Sequence, residues 1–232
     1  MKRTHLGDLL WLLVLAAFTA LLVIPASHQV FIQLTTHYPY GMGFLKFALL
    51  ATMGELLALR LAQRAWKKPV GLFFKIIVWG VIGVLITFMF SFYSAGVAAM
   101  ISGDKPAFNN SLLSTLYPAF LTSLIMNLTF GIVFMALHRM SDTYIEMRFD
   151  QQKPTFNQLI GAINWQAFIT FVVGKTIPLF WIPAHTITFM LAPYLRVVVA
   201  AYLSIVLGLI LAYAKRNDAD PSFTQKPSPN TN

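Results

Sequence analysis

Two charges in this chain stand where charges are expensive. Glu55 follows Gly54 inside one apolar run, and Arg196 follows Pro193 inside another. At a helix centre in hydrocarbon each costs about 2.5–3.5 kcal/mol on insertion scales, so each must face a partner or a water-filled cavity. Two chemistries satisfy that demand. The charges can neutralise one another as an ion pair inside a bundle, or they can line or gate a narrow path for a small polar or anionic solute. Asn127 is the third candidate on that path. An asparagine at mid-depth bonds a neighbouring helix, a contribution of about 0.6 kcal/mol on average, or contacts a solute. Lys46, His185 and Thr188 are secondary polar positions. Lys46 lies near one end of its run, where its stem can snorkel outward. His185, with Thr186 and Thr188 beside it, reads as a rim residue capping a helix end.

Chemistry of other kinds finds little support. His138 and Asp142 are four apart and share a face if their helix continues, but two ligands are too few for a metal, and an exposed ion pair is the expected reading. There is no HExxH, no Gly-x-Ser-x-Gly and no acid cluster in the sequence. Without cysteine there is no thiolate nucleophile, disulfide or thiolate metal site. No enzymatic activity, cofactor or metal is expected.

The elements that position these residues follow from composition. A chain that is 57% hydrophobic and 11% charged is no ordinary soluble domain. It reads as all-α, a polytopic transmembrane helix bundle in a single domain over 1–216. The expected helices are 9–33, 40–63, 71–101, 111–138, 156–180 and 182–214, followed by a disordered polar tail over 217–232. The net charge of +9 does not point to nucleic acid, because the basic residues lie at helix ends. The lipid bilayer is the expected partner, and a homo-oligomer is compatible with it.

Several segments carry finer signals. The first run has the charged start of a signal peptide, but its length and its continuation into further spans favour an uncleaved helix. Gly71, Gly80, Gly83 and Gly96 mark close helix packing along the third. His138 and Arg139 open what reads as the longest loop, reaching Lys153. In 156–180, Asn157, Gly161, Asn164 and Lys175 fall roughly on one face, which leaves five spans plus one interfacial amphipathic helix as the alternative to six. Within 182–214, Pro193 predicts a kink or a break.

Charge counting favours six. With six spans the basic N-terminus, the run Arg60, Arg64, Lys67, Lys68, the 139–153 segment and the Lys215, Arg216 exit all fall on one side, the cytoplasmic one, with both termini there. Arg60, Arg64, Lys67 and Lys68 could also meet anionic lipid headgroups.

Two stretches carry a resemblance. HYPYGMGFLKFALLATMGELLALRLAQ, from His37 to Gln63, has a proline leading to a helix that ends in a glycine and an acid. WIPAHTITFMLAP, followed by Arg196, has a Trp-Pro element, a proline and an arginine. Over 38–213 the chain distantly resembles the Mpv-seventeen and peroxisomal membrane protein twenty-two family. It departs in having Glu55 for an Asp, Leu59 for a Gln, His185 and Thr188 for Gln and Asn, and Arg196 one residue early. The resemblance implies a small helical membrane protein, whose eukaryotic relatives sit in peroxisomal and mitochondrial inner membranes and look like weakly selective solute channels. With no Arg- and Ser-rich amphipathic presequence at the start, the expected location is the plasma membrane of a bacterium.

The expected function is thus a channel or carrier for small polar or anionic solutes, with Glu55, Arg196 and Asn127 on the path. The alternative is a structural or assembly protein in which the same residues lock the bundle.

Overall fold

Long apolar runs leave a backbone few ways to satisfy its polar groups away from water, and the helix is the local one. The computed structural model describes residues 2–102, 110–151 and 153–218, with side chains over 5–102, 110–151 and 153–210, and no strand occurs among them. The elements are α1 (Lys2–Val23), α2 (Pro25–His37), α3 (Pro39–Gln63), α4 (Leu72–Ser102), α5 (Ser111–Met126), a π-helical turn (Asn127–Gly131), α6 (Ile132–Phe149), α7 (Phe156–Gly161), α8 (Trp165–Ala167), a longer π-helical stretch (Phe168–Trp181), α9 (Ile182–Met190) and α10 (Pro193–Asp218). Six helical runs are long and apolar enough to cross a membrane: His5–Val23, Pro39–Gln63, Leu72–Ser102, Ser111–Phe149, Trp165–Met190 and Pro193–Ile210.

Proline sets most of the boundaries. Its fixed φ and missing N–H suit the first turn of a helix, and α2, α3 and α10 each begin on one. The single helix expected over 9–33 is therefore two pieces, broken at Ile24 ahead of Pro25. In the fifth run Pro178 has no N–H to give, and the backbone is wound wide, with Ile182 N–H donating to Ile177 C=O five residues back.

Four expected boundaries move. The segment 156–180 divides at 162–164, leaving α7 as a separate short helix. The fifth run starts at Trp165 and continues to Met190, so the helix expected over 182–214 is divided too, at the break that Pro193 predicts. Leu191, at ψ 162, is extended and ends α9, and Pro193 opens α10. The loop expected from His138 to Lys153 is helical as far as Phe149. Of the tail expected over 217–232, residues 217 and 218 end α10 and the rest lies outside the described residues.

The central element is α3, held between α4 and α10 by missing side chains. A Cβ on Gly43 would stand 2.7 Å from the Gly83 carbonyl oxygen, and one on Gly54 would stand 2.9 Å from the Ser204 oxygen. Only glycine lets the backbones come so close, the packing device common between helices in lipid. Phe47, Leu50 and Ala51 of α3, Ile86 and Phe90 of α4, and Val198 and Ala201 of α10 form the core at these crossings. By contrast α1 lies on the outside, with Leu9, Leu10, Leu12 and Leu13 exposed. It is tied down by the Trp11 indole N–H on Met53 C=O (3.0 Å) and by Thr19 with the Tyr202 hydroxyl (2.7 Å). Exposed apolar side chains on several helices, such as Phe73, Phe88 and Phe92 of α4, exceed what a water-soluble monomer ordinarily shows.

Candidate functional site

The polar side chains inside the bundle collect at two levels, and helical spacing explains which meet. On α4, Lys75 and Trp79 are one turn apart and share a face; on α6, His138, Asp142 and Glu146 form a similar ladder. Those faces meet Glu55 of α3. The Lys75 ammonium donates to Glu55 Oε1 at 2.9 Å and to Glu146 Oε1 at 3.4 Å, with Asp142 Oδ1 at 3.8 Å. Trp79 Nε1–H donates to the other Glu55 oxygen at 3.1 Å. His138 stacks on Trp79 with centroids 4.2 Å apart, and its Nε2 lies 3.6 Å from Asp142 Oδ2. Three carboxylates thus surround one ammonium, whose side chain is only 6% exposed.

This arrangement corrects three expectations. The Glu55–Arg196 ion pair is not formed, because Glu55 pairs with Lys75. The cause is the break at Leu191 and Ala192. Arg196 sits in the first turn of α10, whereas Gly54, beside Glu55, packs against Ser204, eight residues further along, or about 12 Å at about 1.5 Å per residue. His138 and Asp142 are not an exposed pair: their side chains are 15% and 18% exposed. And an acid cluster does exist, assembled from α3 and α6. Its sequence signal was the 138, 142, 146 spacing, legible only if the helix runs on past Leu137.

A cavity of about 270 Å³ opens from this cluster into the bundle. Glu55, Trp79, His138 and Asp142 line one part of it, and Asn127, Trp181, His185 and Phe90 another, with apolar walls between. Asn127 begins the π-helical turn, and its amide nitrogen donates to Ser123 C=O at 2.8 Å. The same amide faces His185 Nδ1 at 3.1–3.2 Å, joining this helix to α9. His185 is stacked by Trp181 and met edge-on by Phe90. It is buried, not at a rim, because α9 completes the fifth run where the sequence reading had it open the sixth. Thr188 is fully buried and bonds its own helix, donating to Ala184 C=O at 2.8 Å.

A second cavity, of about 250 Å³, lies toward the Leu191 turn and is lined by Lys46, Arg196 and Thr35, Thr36, Thr87 and Ser91, with Phe90 among its walls. Lys46 does not snorkel. It is 1% exposed, and its ammonium donates to Thr35 Oγ1 at 2.9 Å and lies 4.5 Å from the centre of the Phe31 ring. Arg196 Nε–H donates to Leu191 C=O at 3.0 Å and an Nη1 hydrogen reaches Ser94 Oγ at 3.3 Å, with the guanidinium carbon 5.7 Å from the centre of the Phe189 ring. Phe90, 4% exposed, lines both cavities and touches both His185 and Phe189.

At the Lys75 end the first member of the basic run is already paired. Arg60 is paired in two-pronged fashion with Asp8 of α1, at 3.0 Å from each oxygen, and Trp66 Nε1–H donates to the same carboxylate at 2.8 Å. Arg64 takes the left-handed conformation that ends α3 (φ 54°), and Arg64, Lys67 and Lys68 are exposed. No family model matches the sequence, and neither a curated protein nor a solved structure matches it.

Proposed function

We propose that this chain is a multi-pass membrane protein whose bundle carries a path for small polar or anionic solutes, as a channel or carrier. The observation that carries the reading is that Phe90 forms a wall of both cavities. Their lining residues follow one another along α3, α4 and α10, one cavity reaching the Lys75 cluster and the other the start of α10 after the Leu191 turn. A ring shared by two chambers, one largely apolar with polar groups at its ends and the other more polar, is a hydrophobic constriction of the kind that gates by excluding water. Glu55 and Asn127 face one chamber and Arg196 the other, so a solute would meet charge on either side of the constriction. What the family resemblance over 38–213 implies is a function of the same class.

The proposed setting is a bacterial plasma membrane with the Lys75 end in the cytoplasm. Arg64, Lys67 and Lys68 are exposed at that end, where the positive-inside rule wants them and where anionic headgroups can meet them. Because the chain has no cysteine, single introduced cysteines report orientation cleanly. Lys68→Cys is expected to react with an impermeant thiol reagent only from the cytoplasmic side; labelling from outside reverses the orientation.

The functional test is flux. Purified protein in liposomes is expected to release small solutes up to a size limit and to discriminate by charge, with Arg196→Ala altering that discrimination. A protein that passes no solute of any size or charge, while remaining folded, would instead be a structural or assembly protein.

A further inference from the structure

We propose that the cavity between Lys46 and Arg196 is a binding site for a small oxyanion, of the phosphate or carboxylate class. This deepens the solute-path reading by naming a ligand, but binding can be scored without flux.

The case starts from how the two cations are held. At the other end of the bundle, Lys75 is surrounded by carboxylates and Arg60 is clamped by one. Among the described residues no carboxylate lies within ion-pair distance of Lys46 or Arg196. Their partners are neutral: one hydroxyl and an aromatic face for Lys46, one carbonyl and one hydroxyl for Arg196. A buried charge is ordinarily paired, and here two of the same sign line one cavity. An anion between them offsets both charges at once.

Hydrogen-bonding capacity points to an acceptor-rich ligand. An ammonium has three donors and a guanidinium five. Lys46 uses one on the protein and Arg196 two. The hydroxyls of Thr36, Thr87 and Ser91 donate to carbonyls of their own helices, Ile32, Gly83 and Thr87. Thr35 accepts from Lys46, so its own proton is available to a ligand. The donors left over belong to the two cations, Thr35 and the hydroxyl of Tyr194, which also lines the cavity, and they suit phosphate or carboxylate oxygens, which accept charge-assisted hydrogen bonds from the cations. The cavity, at about 250 Å³, holds several times the roughly 30 Å³ share of one liquid water, enough for a small oxyanion.

The source of the oxyanion is either solution or a lipid headgroup, and both are tested on full-length protein in neutral detergent. Thermal unfolding is followed against inorganic phosphate and against succinate, with chloride at matched ionic strength as the reference. A parallel arm uses mixed micelles containing an anionic phospholipid. The expected result is a saturable rise in Tm above the chloride reference. Lys46→Met is expected to weaken the apparent affinity by about ten- to a hundred-fold, the loss of one charge-assisted hydrogen bond, and Arg196→Gln to weaken it similarly. A rise seen only with the phospholipid, and lost in the same variants, assigns the site to a headgroup. No saturable rise in either arm, or a rise of equal size in both variants, overturns the proposal. Arg196→Gln also loosens the Leu191 turn, so if it does not fold, Lys46→Met decides alone. Binding by a protein that passes no solute keeps the site and discards the path; flux without binding does the reverse.

Discussion

Two lysines in this bundle are buried to nearly the same degree, Lys75 at 5% exposure and Lys46 at 1%, yet their surroundings are opposite. Lys75 has Glu55, Asp142 and Glu146 around it, from two other helices. Lys46 has a hydroxyl and a ring. Burial alone therefore does not tell what a charged residue is for. A cation enclosed by acids holds helices together, since removing it strands the acids. A cation enclosed by neutral groups is held at a cost to the protein and is available to something else.

The sharpest way to break this comparison is to remove each ammonium in turn. Lys75→Met leaves Glu55 and Asp142, both half-buried, without their counter-ion and is expected to destabilise the fold by about 3–5 kcal/mol, as breaking a buried ion pair does; Glu146 is exposed and adds little. Lys46→Met removes a charge with no counter-ion and is expected to leave stability unchanged or to raise it. Unfolding in mild detergent, scored with no added oxyanion, compares them directly; equal losses would erase the distinction.

The next largest effect concerns Glu55. Glu55→Gln weakens its bonds to Lys75 and to the Trp79 indole and is expected to cost about 1.5–3 kcal/mol, the range for a hydrogen bond to a charged group. Combined with Arg196→Gln, the loss is expected to be additive within about 0.3–0.5 kcal/mol, because the two residues are separated and share no partner. A double variant markedly more stable than that sum would restore a direct pair between them. The smallest effect is at the middle of the bundle. Asn127→Leu breaks the contact with His185 and is expected to cost about 0.6 kcal/mol, and no more than about 1.7, as such bonds do between membrane helices. A larger loss would make Asn127 part of the lock rather than of the cavity wall.

Which of these features the sequence disclosed has a physical explanation. Long apolar runs fix helix type, so the all-helical class and six runs capable of crossing a membrane were legible. Charges inside such runs are costly wherever they sit, so Glu55 and Arg196 stood out without any knowledge of neighbours. Their partners did not. Depth along a helix can be counted only from its true start; Pro193 announced a kink or break within 182–214, as found, but not that the helix ends at an extended Leu191 and starts afresh, which resets the count. Two of the three acids around Lys75 lie on α6, beyond the point where falling hydrophobicity suggested a loop, so nothing local showed that they meet it. Lys46 looked able to snorkel because nothing local showed that Thr35 and Phe31 of the preceding helix fold back over it. In each case type and spacing set what a residue requires, while a turn or a helix extension of a few residues sets what supplies it.

The Phe90 constriction is the point on which the solute path stands, and flux through liposomes as a function of side-chain size at that position tests it most directly. Phe90→Ala joins the two chambers and is expected to raise flux and the upper size limit of solutes that pass, while Phe90→Trp lowers both. If the wild type conducts and neither substitution alters rate or size limit in folded protein, solutes do not cross between these cavities, and the path through them is wrong.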